Sequence, residues 1–256
     1  MSYRSIFFFW LACVCSASEP VFVVLERNPW ASVIGSDSPT FALYDDGTVI
    51  WRPDKPTGGR SFLHGRTRDV AAALREIEPR NLGSFEKFYE LTSWTDQPTT
   101  VIWTPKKTVM IYGQWRHVSD PSRETDPQLR EILTRDRAMN NALPAELRTS
   151  LIRIDAQRKH EGDIWLPERV QVMLWPFPHT REEPIPWPKK WPGLSAKDTV
   201  KRGGDSYSVY LPATELSTLR DLLAKREQRR AILIDEQKMS AAVRLPFPRE
   251  ELWMKN

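Results

Sequence analysis

Cysteine is almost absent. The chain has 256 residues and two cysteines, Cys13 and Cys15, both within its first eighteen residues. Beyond Ser18 there is no thiol, which excludes disulfides, thiolate metal sites and cysteine nucleophiles from the rest of the chain. Histidine is also scarce. His64, His117, His160 and His179 are far apart and form no i,i+4 pair, so neither a metal site nor any cofactor is expected. An excess of one charge is missing too: the net charge is +4, with acidic and basic residues interspersed. That excludes the basic stripe of a nucleic-acid-binding surface. No apolar run reaches the ~20 residues that a membrane-crossing helix needs. A G-x-S-x-G nucleophile elbow is missing; Gly204-Asp205-Ser206 precedes a strand pattern and reads as a glycine turn.

What is present begins with Met1 to Ser18. Arg4 is followed by the apolar run Ile6 to Val14 and by the small residues Ser16, Ala17 and Ser18. This is the layout of a cleaved export signal, and it predicts a secreted or periplasmic protein. Leu11-Ala12-Cys13 resembles the end of a lipobox, so a lipid anchor at Cys13 is the alternative. Trp10 is a poor residue for that motif, which favours the unanchored form. Cleavage leaves about 238 residues, a prior of one to two domains. Ten of the eleven tryptophans remain, which signals either large aromatic cores or aromatic binding platforms.

Hydrophobic periodicity predicts an α+β fold, with antiparallel β-hairpins and helices packed on one side, in two linked or closely packed units. The expected division is a signal at 1–18, an α+β domain at 19–154, a polar connector at 155–168 and a second α+β domain at 169–256. Val21 to Leu25 is a strand. Phe41 to Trp51 is a hairpin around Asp45-Asp46-Gly47. Of two possible turns, a bulged one with Gly47 left-handed is favoured. It pairs Leu43 with Val49 and Phe41 with Trp51, placing the strongest apolar side chains on one face. Helices are predicted over 68–78 and 84–91, the second with Ser84 as N-cap. A further helix opens at Asp126-Pro127 and another at Pro144. Thr99–Thr104 and Thr108–Tyr112 form a second hairpin. Arg169 to Trp175 is a strand, and the proline–tryptophan segment 175–192 is neither helix nor central strand. Beyond it come a strand at 207–211, a helix at 213–227 and a third hairpin from Ala231 to Leu245 across a four-residue turn, 235–238.

Leu43-Tyr44-Asp45-Asp46-Gly47-Thr48-Val49, Phe88-Tyr89, Thr95-Asp96-Gln97-Pro98-Thr99, Lys107-Thr108-Val109 and Tyr112-Gly113 resemble, over residues 38–135, a family of bacterial secreted proteins and lipoproteins to which no activity is assigned. The resemblance implies a small sheet of two hairpins with intervening helices. That family often carries a cysteine before the first strand, where this chain has Ser38-Pro39.

Most polar pairs have structural explanations. Asp45-Asp46 and Asp235-Glu236 sit at turns, and the basic run Lys225 to Arg230 follows a helix C-terminus, where cations offset the dipole. Asp96 is suited to accept backbone N–H bonds and fix the lead-in to the second hairpin. Trp175, Trp187 and Trp191 are the candidate binding residues, either as an aromatic platform or as a rigid strap packed onto the second unit. The expected function is a non-enzymatic binding module for a protein or glycan of the cell envelope. The alternatives are a secreted hydrolase without a local motif, with His64, Asp96 and His117 as suspects, and a protease-inhibitor-like protein presenting the Pro-Trp loop.

Overall fold

The structure, a computed structural model, describes residues 18–30, 37–54, 62–116, 120–225 and 230–254. The export signal lies outside them, apart from Ser18. In chain order the elements are β1 (Pro20–Arg27), β2 (Pro39–Tyr44), β3 (Thr48–Trp51), β4 (Phe62–Arg66), α1 (Val70–Ile77), β5 (Phe88–Glu90), β6 (Thr99–Trp103), β7 (Thr108–Tyr112), α2 (Pro127–Asn141), α3 (Ala145–Gln157), β8 (Asp163–Trp165), β9 (Arg169–Pro176), β10 (Ile185–Pro186), β11 (Val200–Lys201), β12 (Tyr207–Pro212), α4 (Leu216–Ala224), β13 (Ile232–Ile234) and β14 (Gln237–Arg244). They form an α+β fold with two sheets. One sheet has eight strands in the order β5-β7-β6-β1-β2-β3-β4-β8, and the other has six in the order β10-β13-β14-β9-β12-β11. All neighbours are antiparallel except β5–β7 and β10–β13. Among the described residues no helix is long and apolar enough to cross a membrane.

The β2–β3 hairpin has the bulged register: Phe41 faces Trp51 and Leu43 faces Val49. Gly47 has φ +86°, and a Cβ there would lie 2.2 Å from the Thr67 carbonyl oxygen, so both conformation and space require glycine. Asp46 closes the turn by accepting from the Thr48 amide and hydroxyl. Strand alternation then divides the large sheet into two apolar faces. Phe22, Val24, Phe41, Leu43, Trp51, Ile102 and Ile111 join Ile77 of α1 and Leu147, Leu151 and Ile154 of α3 in one cluster. The opposite face, including Val23, Ala42, Tyr44, Ile50, Phe62 and Trp103, shares a second cluster with Val170, Val172 and Leu174 of β9, with α4 and with Leu245, Phe247 and Trp253 near the C-terminus. The milder hairpin face of Ala42, Tyr44 and Ile50 is therefore buried as well.

Several expectations need correction. Residues 84–91 are not a helix. Leu82–Ser84 is a single 3-10 turn, and Phe88–Glu90 is an edge strand parallel to β7. The i, i+3, i+4 spacing of Phe85, Phe88 and Tyr89 mimics a helical stripe. The competing hydrogen bonds, Met110 N–H to Lys87 O and Leu91 N–H to Tyr112 O, are non-local and invisible in that spacing. The 213–227 helix begins as a 3-10 turn, and α4 ends at Ala224; most of the basic run (226–229) is outside the described residues. The third hairpin turns in two residues rather than four. Asp235 and Glu236 are both left-handed, with φ 46° and 64°, the conformation of a type I′ turn. Within 155–168, α3 continues to Gln157, and residues 163–165 form β8, paired with β4. Gly162 lies against the Trp51 indole, where a Cβ would come within 2.5 Å.

Ion pairs hold α3 to the large sheet. Arg116 meets Asp155 of α3 through two bonds of 2.7 and 2.9 Å and reaches Glu26 of β1 at 2.9 Å. Arg158 adds a 3.1 Å contact to Asp155. Burial opposes ionisation of Asp155, but the Arg116 and Arg158 guanidiniums outweigh it and hold this carboxyl below its ordinary value. The Asp155 carboxylate first, and Glu26 after it, in turn raise the Arg116 guanidinium. A carboxyl depressed by folding stabilises the fold in its ionised form. That contribution is complete above the unfolded value, near pH 4, and is lost as pH falls through the folded one. The urea midpoint is expected to fall on acidification below about pH 4, and Asp155→Asn to flatten that fall. An unchanged acid limb in the variant would assign the loss to other groups. Because the pair is partly exposed, screening keeps its worth to the order of 1 kcal/mol.

Candidate functional site

The strap residues go inward. The Trp187 amide donates to Leu233 O of β13 at 3.0 Å and the Ile185 amide to Ala231 O at 2.9 Å, annealing the segment to the small sheet. Trp187 and Trp191 are only 9% and 6% exposed. Their rings meet edge to face, 4.8 Å apart. Each indole N–H is used: Trp187 donates to Pro192 O and Trp191 to Glu215 Oε2, both at 3.0 Å. Lys190 closes on the same carboxylate at 2.8 Å. These bonds, chiefly that from Lys190, hold Glu215 below its ordinary value. Trp187 and Trp191 are thus rigid packing, and neither presents an open platform. Trp175 is half-buried on β9, opposite Ser240 of β14.

The catalytic suspects are not gathered. His64 is half-buried on β4, in register with Ile50 on one side and Asp163 on the other. Asp96 precedes β6, four strand intervals away, or roughly 19 Å along the sheet. His117 lies outside the described residues. Asp96 is exposed and left-handed, with φ 59°. The lead-in to β6 is fixed by Tyr112 instead, whose hydroxyl donates to Trp94 O at 2.9 Å and accepts from the Gln97 amide at 3.2 Å. Ser206 is buried, and its hydroxyl donates to Gly203 O. Among the described residues no three His, Cys, Asp or Glu side chains are grouped to hold a metal ion.

A different tryptophan meets the physical requirements of a contact residue. Trp94 lies in the β5–β6 loop with 46% of its surface exposed. The loop beneath it is braced from two elements, α2 and β7, and from within by Thr92. Asp136 of α2 accepts from the Thr92 hydroxyl at 2.7 Å, the Ser93 amide at 3.0 Å and the Ser93 hydroxyl at 2.9 Å. Arg135 donates to Ser93 Oγ at 3.0 Å. The Trp94 amide bonds Thr92 Oγ1 at 3.2 Å, and its carbonyl is held by Tyr112 of β7. Burial resists ionisation of Asp136, yet these donors prevail and keep its carboxyl low. Phe88 of β5, 50% exposed, stands at the same edge of the sheet, in register with Met110 two residues before Tyr112. A half-exposed indole on so constrained a loop loses apolar burial without gaining disorder, which makes Trp94 a candidate contact residue. Hydrophobic periodicity does not separate Trp94 from the buried tryptophans. The one available signal is the polar run Thr92-Ser93 to Thr95-Asp96 around it.

Comparison with known proteins adds no relative: no family model matches this chain, and no curated protein or solved structure compared with it does so.

Proposed function

We propose that this chain is an exported, non-catalytic binding protein of the bacterial envelope and that it takes its ligand at the Trp94 loop. The observation that supports the reading is the combination of a half-exposed indole with a backbone fixed by Asp136, Thr92 and Tyr112. A preformed aromatic contact avoids the ordering cost that weakens flexible sites. The export half of the reading rests on the leader-like Met1 to Ser18 and on the cysteine-free chain after it. The wide separation of His64 and Asp96 removes that pair as a single catalytic unit.

Immobilised protein, incubated with a solubilised envelope fraction, is expected to retain a component that Trp94→Ala retains at least tenfold less well, since buried tryptophan anchors dominate recognition surfaces. The variant should stay folded and melt within about 6 °C of the parent, because the buried half of the indole is worth on the order of 1–2 kcal/mol. Equal retention by both proteins would remove Trp94 from the binding surface.

A further inference from the structure

We infer that the ligand class of the Trp94 loop is a glycan, a polymer of pyranose sugars; this rests on the binding reading above. A pyranose offers two kinds of surface: an apolar face of C–H groups and a rim of hydroxyls that each donate and accept. The loop supplies a partner for each. The Trp94 indole is half-exposed and rigidly mounted, as a stacking surface for the C–H face must be. Beside it, Arg135, bonded to Ser93, and the exposed Asp96, two residues on, supply a guanidinium and a carboxylate, while Ser93 and Asp136 are taken up in bracing the loop. A guanidinium with unused N–H donors and an exposed carboxylate can each bond a sugar hydroxyl. Asp136 uses three acceptor positions on Thr92 and Ser93 out of about four. Arg135 uses one donor on Ser93 out of five.

Other ligand classes fit less well. A lipid surface or an apolar peptide groove needs contiguous exposed hydrophobic area. Apart from Phe88 at the same sheet edge, the other large exposed apolar side chains are scattered singly over other elements, among them Ile152 on α3, Ile164 on β8, Val200 on β11 and Leu233 on β13. An extended peptide adding to the sheet edge would find a strand of only three residues, Phe88–Glu90, with Glu86, Lys87 and Glu90 in and beside it. That is the short, charged edge that discourages strand addition. Charges of both signs at the loop also disfavour a purely anionic polymer.

The test is retention of the full chain on three insoluble polysaccharides (chitin, cellulose and purified peptidoglycan sacculi), with soluble oligomers of whichever binds used as competitors. The parent and Trp30→Ala, whose side chain is exposed on a different loop, should be retained on at least one. Trp94→Ala should lose tenfold or more, and Trp94→Tyr should recover part of that loss, because stacking needs a ring rather than an indole. Competing oligomer should quench and shift tryptophan fluorescence in the parent and not in Trp94→Ala. Failure on all three polysaccharides, or equal retention of Trp94→Ala, overturns the glycan assignment. If the envelope retention described above is Trp94-dependent and is abolished by protease treatment of the extract but not by periodate, the ligand is a protein: the binding reading stands and the glycan does not.

Discussion

Trp253→Ala is expected to destabilise the protein by about 3–5 kcal/mol, the range for removing a large aromatic from a packed core. Trp253 is 1% exposed, the largest fully buried side chain of the described residues. Its ring sits 6.0 Å from that of Trp103 on β6. The segment that carries it closes the aromatic face of the large sheet. Phe247 packs edge to face on Phe62 at 5.0 Å and tilts against Trp165 at 4.8 Å, and Tyr44 donates its hydroxyl to Pro248 O. A chain of this length shifts its melting temperature by about 2–4 °C per kcal/mol, so the effect is visible in a thermal scan as well as a urea titration. The buried Trp253 indole N–H has no hydrogen-bond partner. Trp253→Phe removes that orphaned donor along with some volume and should cost much less, on the order of 1–2 kcal/mol. Equal losses from the two substitutions would show that the indole N–H is satisfied after all.

Arg244→Ala should be comparably damaging, about 3–5 kcal/mol, because it strands buried polar partners. The Arg244 side chain is 2% exposed. Its guanidinium contacts both oxygens of Glu250, at 2.7 and 2.8 Å, and Gln171 Oε1 at 2.9 Å. It also donates to Asp37 O at 3.2 Å, beside the start of β2. Gln171 in turn donates to Ser208 at 2.7 Å. One arginine thus joins β9, β14 and the lead-in to β2. The double variant Arg244→Met, Glu250→Gln should lose less than the sum of its single changes, since it removes both charges together. Additive losses in urea titrations would mean the two residues act separately.

The parts of this fold that could be read in advance are those set by neighbours in sequence. Asp46-Gly47 chooses the bulged turn, and the turn chooses the pairing of Phe41 with Trp51. Asp126 caps α2 by accepting from Gln128 and Leu129, as its position before Pro127 suggests. The α+β class follows from such elements. What was misread depends on partners far along the chain. Residues 88–90 form a strand because β7 offers an edge, and 163–165 because β4 does. Of the two readings open for Trp191, the packed strap is the one realised, its N–H taken by Glu215 twenty-four residues later. Trp94 stays half-exposed because Asp136, more than forty residues away, fixes the turn beneath it. Tryptophan identity alone carries no sign of which of these outcomes applies.

The bond from Tyr44 to Pro248 spans 204 residues and that from Arg244 to Asp37 spans 207. During synthesis, therefore, Phe62 and Trp165 lack Phe247, and Trp103 lacks Trp253, until the final strand and the residues after it have emerged. Closure at such separations is slow, and the waiting aromatic surface is what holdase chaperones grip. That delay suits a polypeptide threaded through a translocon before it folds, the route proposed for this one.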